Sequence, residues 1–90
     1  MWYGILVKVT EMLNLADLAQ QACQSVYGSD ADVTTNLSGE NLYEVVTLYK
    51  RHNNTLVFSN DDLKGDKQEV LARLIVLFRN FKIAIDQAVS

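Results

Sequence analysis

Residues 43–59, YEVVTLYKRHNNTLVFS, decide the fold, because their apolar residues fit two different periods. As a strand, Tyr43, Val45, Thr47 and Tyr49 share one face, and Glu44, Val46, Leu48 and Lys50 share the other. As a helix, Leu42, Val45, Val46 and Tyr49 form a stripe, with Glu40 and Glu44 early and Lys50 and Arg51 late, matching the helix dipole. Consecutive Val45, Val46 and Thr47, flanked by two tyrosines, favour the strand, since β-branched side chains are stiff and fit a pleated surface. Residues 55–59 are short and β-prone, and Asn53-Asn54 supplies turn chemistry. The stretch therefore reads as a β-hairpin. Its central KRHNN is the densest basic spot of an acidic chain, and reads as a solvated turn, at best a rim contact for an acidic partner.

Downstream lies a helix. Asp66 is its expected N-cap and Glu69 the capping-box partner. Val70, Leu71, Leu74, Leu77, Phe78, Phe81, Ile85 and Ala88 form its core face. On the opposite side Ala72, Val76 and Ile83 stand among Glu69, Arg73, Arg79, Asn80 and Gln87.

Upstream, residues 29–41 (SDADVTTNLSGEN) read as a polar loop of about a dozen residues, long for a compact domain. Before it, LNLADLAQQACQSVYG predicts a helix with Asn14 as N-cap, Leu13 and Leu18 as a hydrophobic staple, and Gly28 at C′. Its buried stripe is Leu15, Ala19, Ala22, Cys23 and Val26. Residues 1–10 alternate as a strand, with Met1, Tyr3, Ile5, Val7 and Val9 on one face and Trp2, Gly4, Leu6, Lys8 and Thr10 on the other.

The expected fold is α+β, in the order β-α-β-β-α, with a small three-stranded sheet covered on one face by two helices. A helical crossover would make the first two strands parallel. This order resembles a ferredoxin-like split βαβ unit without its last strand, a resemblance of element order that carries no function.

Ninety residues, 49% hydrophobic and 21% charged, suit one domain with a small core and a stability of about 5 kcal/mol. A net charge of −3 argues against non-specific nucleic-acid binding, which needs a basic stripe. A single cysteine excludes an internal disulfide framework and points to a reducing compartment, the cytoplasm. The first residues lack the pattern of a signal peptide, and no apolar run reaches membrane-spanning length. NLS at Asn36 and NNT at Asn53 read as chance glycosylation triplets.

No catalytic, cofactor or metal signature emerges. The four glycines are scattered, and one His with one Cys cannot supply the usual zinc sets. Cys23 with His52 as base would make a thiol nucleophile, but Cys23 falls on the buried stripe, where a free thiol acts as a small hydrophobe. Asp30, Asp32 and Thr34 imitate a calcium loop, but Thr35 and Asn41 stand where that loop needs Gly and Glu. Lys50, Arg51 and His52 lack the backbone nest or helix start that phosphate sites use.

What remains is apolar surface. Trp2, Leu6, Val76 and Ile83, with Arg79 beside them, are the candidate partner-binding residues, and Lys50, Arg51, Asp30 and Asp32 the candidate rim contacts. The leading expectation is a small non-catalytic protein-binding module acting stoichiometrically as a regulator or inhibitor. It would work as a homodimer or with another tightly bound protein, because three strands with an open face are marginal alone. An alternative is an immunity- or antitoxin-like protein that presents the acidic segment 30–40 to a basic toxin surface. Another is a small enzyme or ligand-binding domain with a pocket at a dimer interface.

Overall fold

A computed structural model describes the backbone of residues 2–89 and the side chains of residues 11–89. Helix α1 spans Trp2–Tyr27, strands β1, β2 and β3 span Ala31–Gly39, Leu42–Tyr49 and His52–Ser59, and a short 3-10 turn, Asp61–Leu63, leads to helix α2, Lys67–Val89. The class is α+β with two helices and an open three-stranded sheet, as expected. Two segments differ from expectation. Residues 2–10 are helical, and the segment read as a loop forms β1. The sheet order is β1-β2-β3 and both pairings are antiparallel, so the expected parallel pair and the split βαβ order do not occur.

Local features permit both differences. From Thr10 to Leu13 the chain offers no Gly, Pro or Asn to stop a helix. Once residues 11–27 are helical, the costly nucleation is complete, and each added residue gains a bond. Asn14 and Leu13 are consequently mid-helix, and the expected cap and staple are not formed; Leu13 is exposed. In β1, Val33 and Thr35 alternate with Asp32, Thr34 and Asn36, so a segment polar overall still offers a half-apolar inner face. Asp32 and Thr34 thus project from a strand, whereas a calcium loop would need them to converge.

β2 places Tyr43, Val45, Thr47 and Tyr49 in the core. Against them pack Leu15, Leu18, Ala19, Ala22, Cys23 and Tyr27 from α1 and Val70, Leu74 and Phe78 from α2. Gly28, at φ +62, ends α1 with its N–H bonded to the Gln24 carbonyl at 3.1 Å, the expected left-handed C′ position. Asp66 caps α2 through the Gln68 N–H at 3.1 Å, whereas the Glu69 carboxylate lies near Gly65. The helices run in the same direction along the sheet. Glu11 and Val70 lie toward its Tyr43 end, and Tyr27 and Asp86 at its Tyr49 end.

The β2–β3 turn is Lys50-Arg51, not Asn53-Asn54. Tyr49 pairs with His52, and the two turn residues have φ +49 and +69, the sign pattern of a type I′ turn. Neither is glycine, so each left-handed residue costs about 1–2 kcal/mol. The register offsets this cost: all eight residues of β2 pair with β3, and Tyr43 sits opposite Phe58. A turn at 53–54 would instead oppose Tyr43 to Lys64.

Candidate functional site

Three regions carry chemistry: an ionic cluster at the Tyr49 end, a cleft at the other end, and the open face and edges of the sheet.

At the Tyr49 end, Asp86 of α2 accepts from Tyr49 Oη at 2.6 Å, from Lys50 Nζ at 2.8 Å and, through its second oxygen, from Lys82 Nζ at 2.8 Å. These hydrogen bonds, Lys50's foremost, hold its carboxyl well below the usual carboxylate range, and Asp86 in turn raises both lysines. Both ammonium groups also lie over the Tyr49 ring, 5.2 and 5.8 Å from its centre. Tyr27 stacks against Tyr49 with ring centres 4.9 Å apart and donates to the Phe78 carbonyl at 2.7 Å. Burial pushes the Tyr27 hydroxyl up to about 12. The cluster clamps the strained turn to α2, with two ammonium groups sharing one carboxylate. Lys50, expected as a rim contact, is thus held in a structural ion pair, while Arg51 beside it is exposed and in no ion pair among the described residues.

The cleft, about 590 Å³, lies between α1, the Asn41 turn and the start of α2, and is lined by Glu11, Leu18, Asn60, Lys64 and Lys67 among others. Glu11 accepts from Tyr43 Oη at 2.8 Å, and Tyr43 is pushed up to about 12, by burial first and this bond second. Lys64 pairs with Asp61 at 3.0 Å. The amide nitrogen of Asn60 donates to Asn41 Oδ1 at 2.8 Å, while its own oxygen is buried without a partner among the described residues. The described lining holds neither His nor Cys. Among the described residues, no group of three or more His, Cys, Asp or Glu could hold a metal.

The open face of the sheet carries aliphatic side chains around Glu44. Leu42, Leu48 and Val57 are 40%, 42% and 55% exposed, and Val46 lies among them. The sequence places Glu44, Val46 and Leu48 on the second face of β2 without marking them as partner-binding residues. Their signal was Val46 and Leu48 on the second face of a strand with only two helices to cover it.

Of the expected partner residues, Val76 and Ile83 are 52% and 48% exposed on α2, one heptad apart, with Arg79 exposed on the same helix. Trp2 and Leu6 belong to the backbone of α1, and their side chains lie outside the described residues. Asp30 and Asp32 lie at the Lys50-Arg51 end of the sheet, since Ala31 pairs with Tyr49. Glu40 is at the far end of β1, about 30 Å away at strand spacing. Cys23 is buried, burial foremost raises its thiol, and Asp32 adds to the rise.

No helix among the described residues is long and apolar enough to cross a membrane. No protein-family model matches the chain, and no curated protein or solved structure does so either.

Proposed function

We propose that the chain is a non-catalytic protein-binding module, a stoichiometric regulator or inhibitor, whose principal contact is the open face of its sheet. One observation carries this reading. Leu42, Val46, Leu48 and Val57 lie, around Glu44, on a face that no layer among the described residues covers. A sheet normally buries such a face against another layer, and patches of this kind mark interaction sites. Around these aliphatic side chains Thr34, Asn36, Asn53 and Thr55 are uncharged and polar, while Asp32, opposite Leu48, and Glu44 place two carboxylates on the same face. Val76 and Ile83 lie on the helix layer, the opposite side of the molecule, among Arg73, Arg79 and Asn80, and fit ordinary surface or a secondary contact.

The single buried thiol fits a reducing compartment such as the cytoplasm. The toxin-blocking alternative draws less support, because Asp30 and Asp32 are separated from Glu40 by the length of β1 and do not form one acidic patch.

The test is affinity capture from the native cell with the intact chain and with the Leu42→Asp/Leu48→Asp variant. Both positions are partly exposed, and circular dichroism checks that the variant keeps its fold, because Asp at 48 stands opposite Asp32. A partner retained by the intact chain and lost by the variant is the expected result. A partner retained equally by both removes the sheet face from consideration.

A further inference from the structure

We infer that β3 is a strand-addition edge, and that its occupant is β3 of a second copy, running antiparallel about a two-fold axis at Thr55. This rests on the protein-binding reading and names one partner for it.

The two edges of the sheet are treated differently. Across a two-residue turn the flanking pair, Tyr49 and His52, exchanges hydrogen bonds, and alternate pairs follow. His52, Asn54, Leu56 and Phe58 therefore bond to β2, and Asn53, Thr55, Val57 and Ser59 point their N–H and C=O groups outward. By the same alternation the outward residues of β1 are Ala31, Val33, Thr35 and Leu37. Side chains of α1 already reach two of these: Gln20 donates to the Val33 carbonyl at 3.4 Å and the Cys23 thiol to the Ala31 carbonyl at 3.6 Å. β1 also carries Asp32 and a register irregularity between Leu37 and Gly39, both of which blunt an edge.

β3 has none of these devices. HNNTLVFS contains no Asp, Glu, Lys, Arg, Pro or Gly, and its register with β2 is unbroken. Among the described residues its protection is at the end, where the Ser59 N–H donates to Asp62 at 2.9 Å. Asn53, Thr55 and Val57 are left with open backbone groups, evenly spaced about Thr55. Antiparallel self-pairing sets Asn53 against Val57 of the second copy and Thr55 against Thr55, every outward group satisfied. Cross-strand Thr–Thr pairs are favourable, and no like charges meet. The product is a six-stranded sheet, which enlarges the open face.

Sedimentation of the intact chain from about 1 to 100 μM should show a dimer within that range, the affinity of a modest interface. Thr55→Lys sets two ammonium groups face to face across the axis and should weaken the dimer at least about tenfold, with the circular dichroism unchanged. In a Cys23→Ala background, Thr55→Cys should form a covalent dimer under mild oxidation, because paired Cα atoms about 5.5 Å apart suit a disulfide. Asn53→Cys should not, since the two copies of residue 53 would lie about 13 Å apart along the strand. A monomer throughout, a dimer indifferent to Thr55→Lys, or equal cross-linking at 53 and 55 overturns the proposal. Leu42 and Leu48 lie on β2, so their variant reads the open face separately: it should dimerise normally.

Discussion

Val45 and Val46 are identical neighbours in β2, yet Val45 is fully buried beneath the helices and Val46 lies half-buried on the open face. The same division runs through the strand, with Tyr43, Thr47 and Tyr49 inside and Leu42, Glu44 and Leu48 outside. Side-chain character does not separate the two sets, since Leu is outside and Thr inside. What separates them is which face the two helices cover. The apolar residues of the outer face have no such cover among the described residues, and the proposed function rests on that face.

The largest expected effect lies on the covered side. Phe78→Ala should destabilise by about 3–5 kcal/mol, since the ring is fully buried between Tyr27 and the sheet. Val76→Ala on the outer side of the same helix should stay within about 0.5 kcal/mol. Chemical denaturation of both variants measures the difference, and similar losses would mean that α2 is rotated.

The valine pair gives a finer contrast. Val45→Ala should cost about 2 kcal/mol through lost burial and the cavity left behind. Val46→Ala should cost markedly less in the isolated chain and should weaken partner binding instead. Equal unfolding midpoints for the two would break the distinction between the faces.

Thr47 sharpens it further. Its hydroxyl is buried with no hydrogen-bond partner among the described residues, which costs about 1–3 kcal/mol. Thr47→Val keeps the shape and removes the orphan, so a thermal melt should show a stability unchanged or raised by about 1 kcal/mol. A clear loss would reveal a partner for that oxygen.

The smallest effect is ionic. The Asp86 carboxyl is held below its ordinary range in the folded chain, so its contribution is present at neutral pH and disappears as pH falls through that lowered value. Lys50 and Lys82, both raised, contribute below the ordinary lysine range and lose that contribution as pH rises through their folded values. Asp86→Asn should therefore flatten the acid limb of the stability curve, and added salt should reduce the difference, because the pair is partly exposed. An acid limb identical to that of the unaltered chain would remove Asp86 from the titration.

Local pattern by itself determined α2, the C-terminal half of α1 and the inner face of β2. In each, the period of burial is written along one segment: the stripe through Val70, Leu74 and Phe78, the stripe through Leu15, Ala19 and Cys23 closed by Gly28, and the alternation of Tyr43, Val45, Thr47 and Tyr49. It also separated Val76 and Ile83 from the core. Only the tertiary structure decided which segment completes the sheet, because residues 2–10 and Ala31–Gly39 both alternate and the choice depends on pairing with β2. It likewise decided the turn. Asn53-Asn54 has the better local chemistry, but eight strand pairs and the burial of Tyr43 opposite Phe58 outweigh two strained residues at Lys50 and Arg51. The free edge of β3 follows from that register. Which backbone groups face outward is set by the position of the turn, and a one-residue slip would exchange them with the inward set.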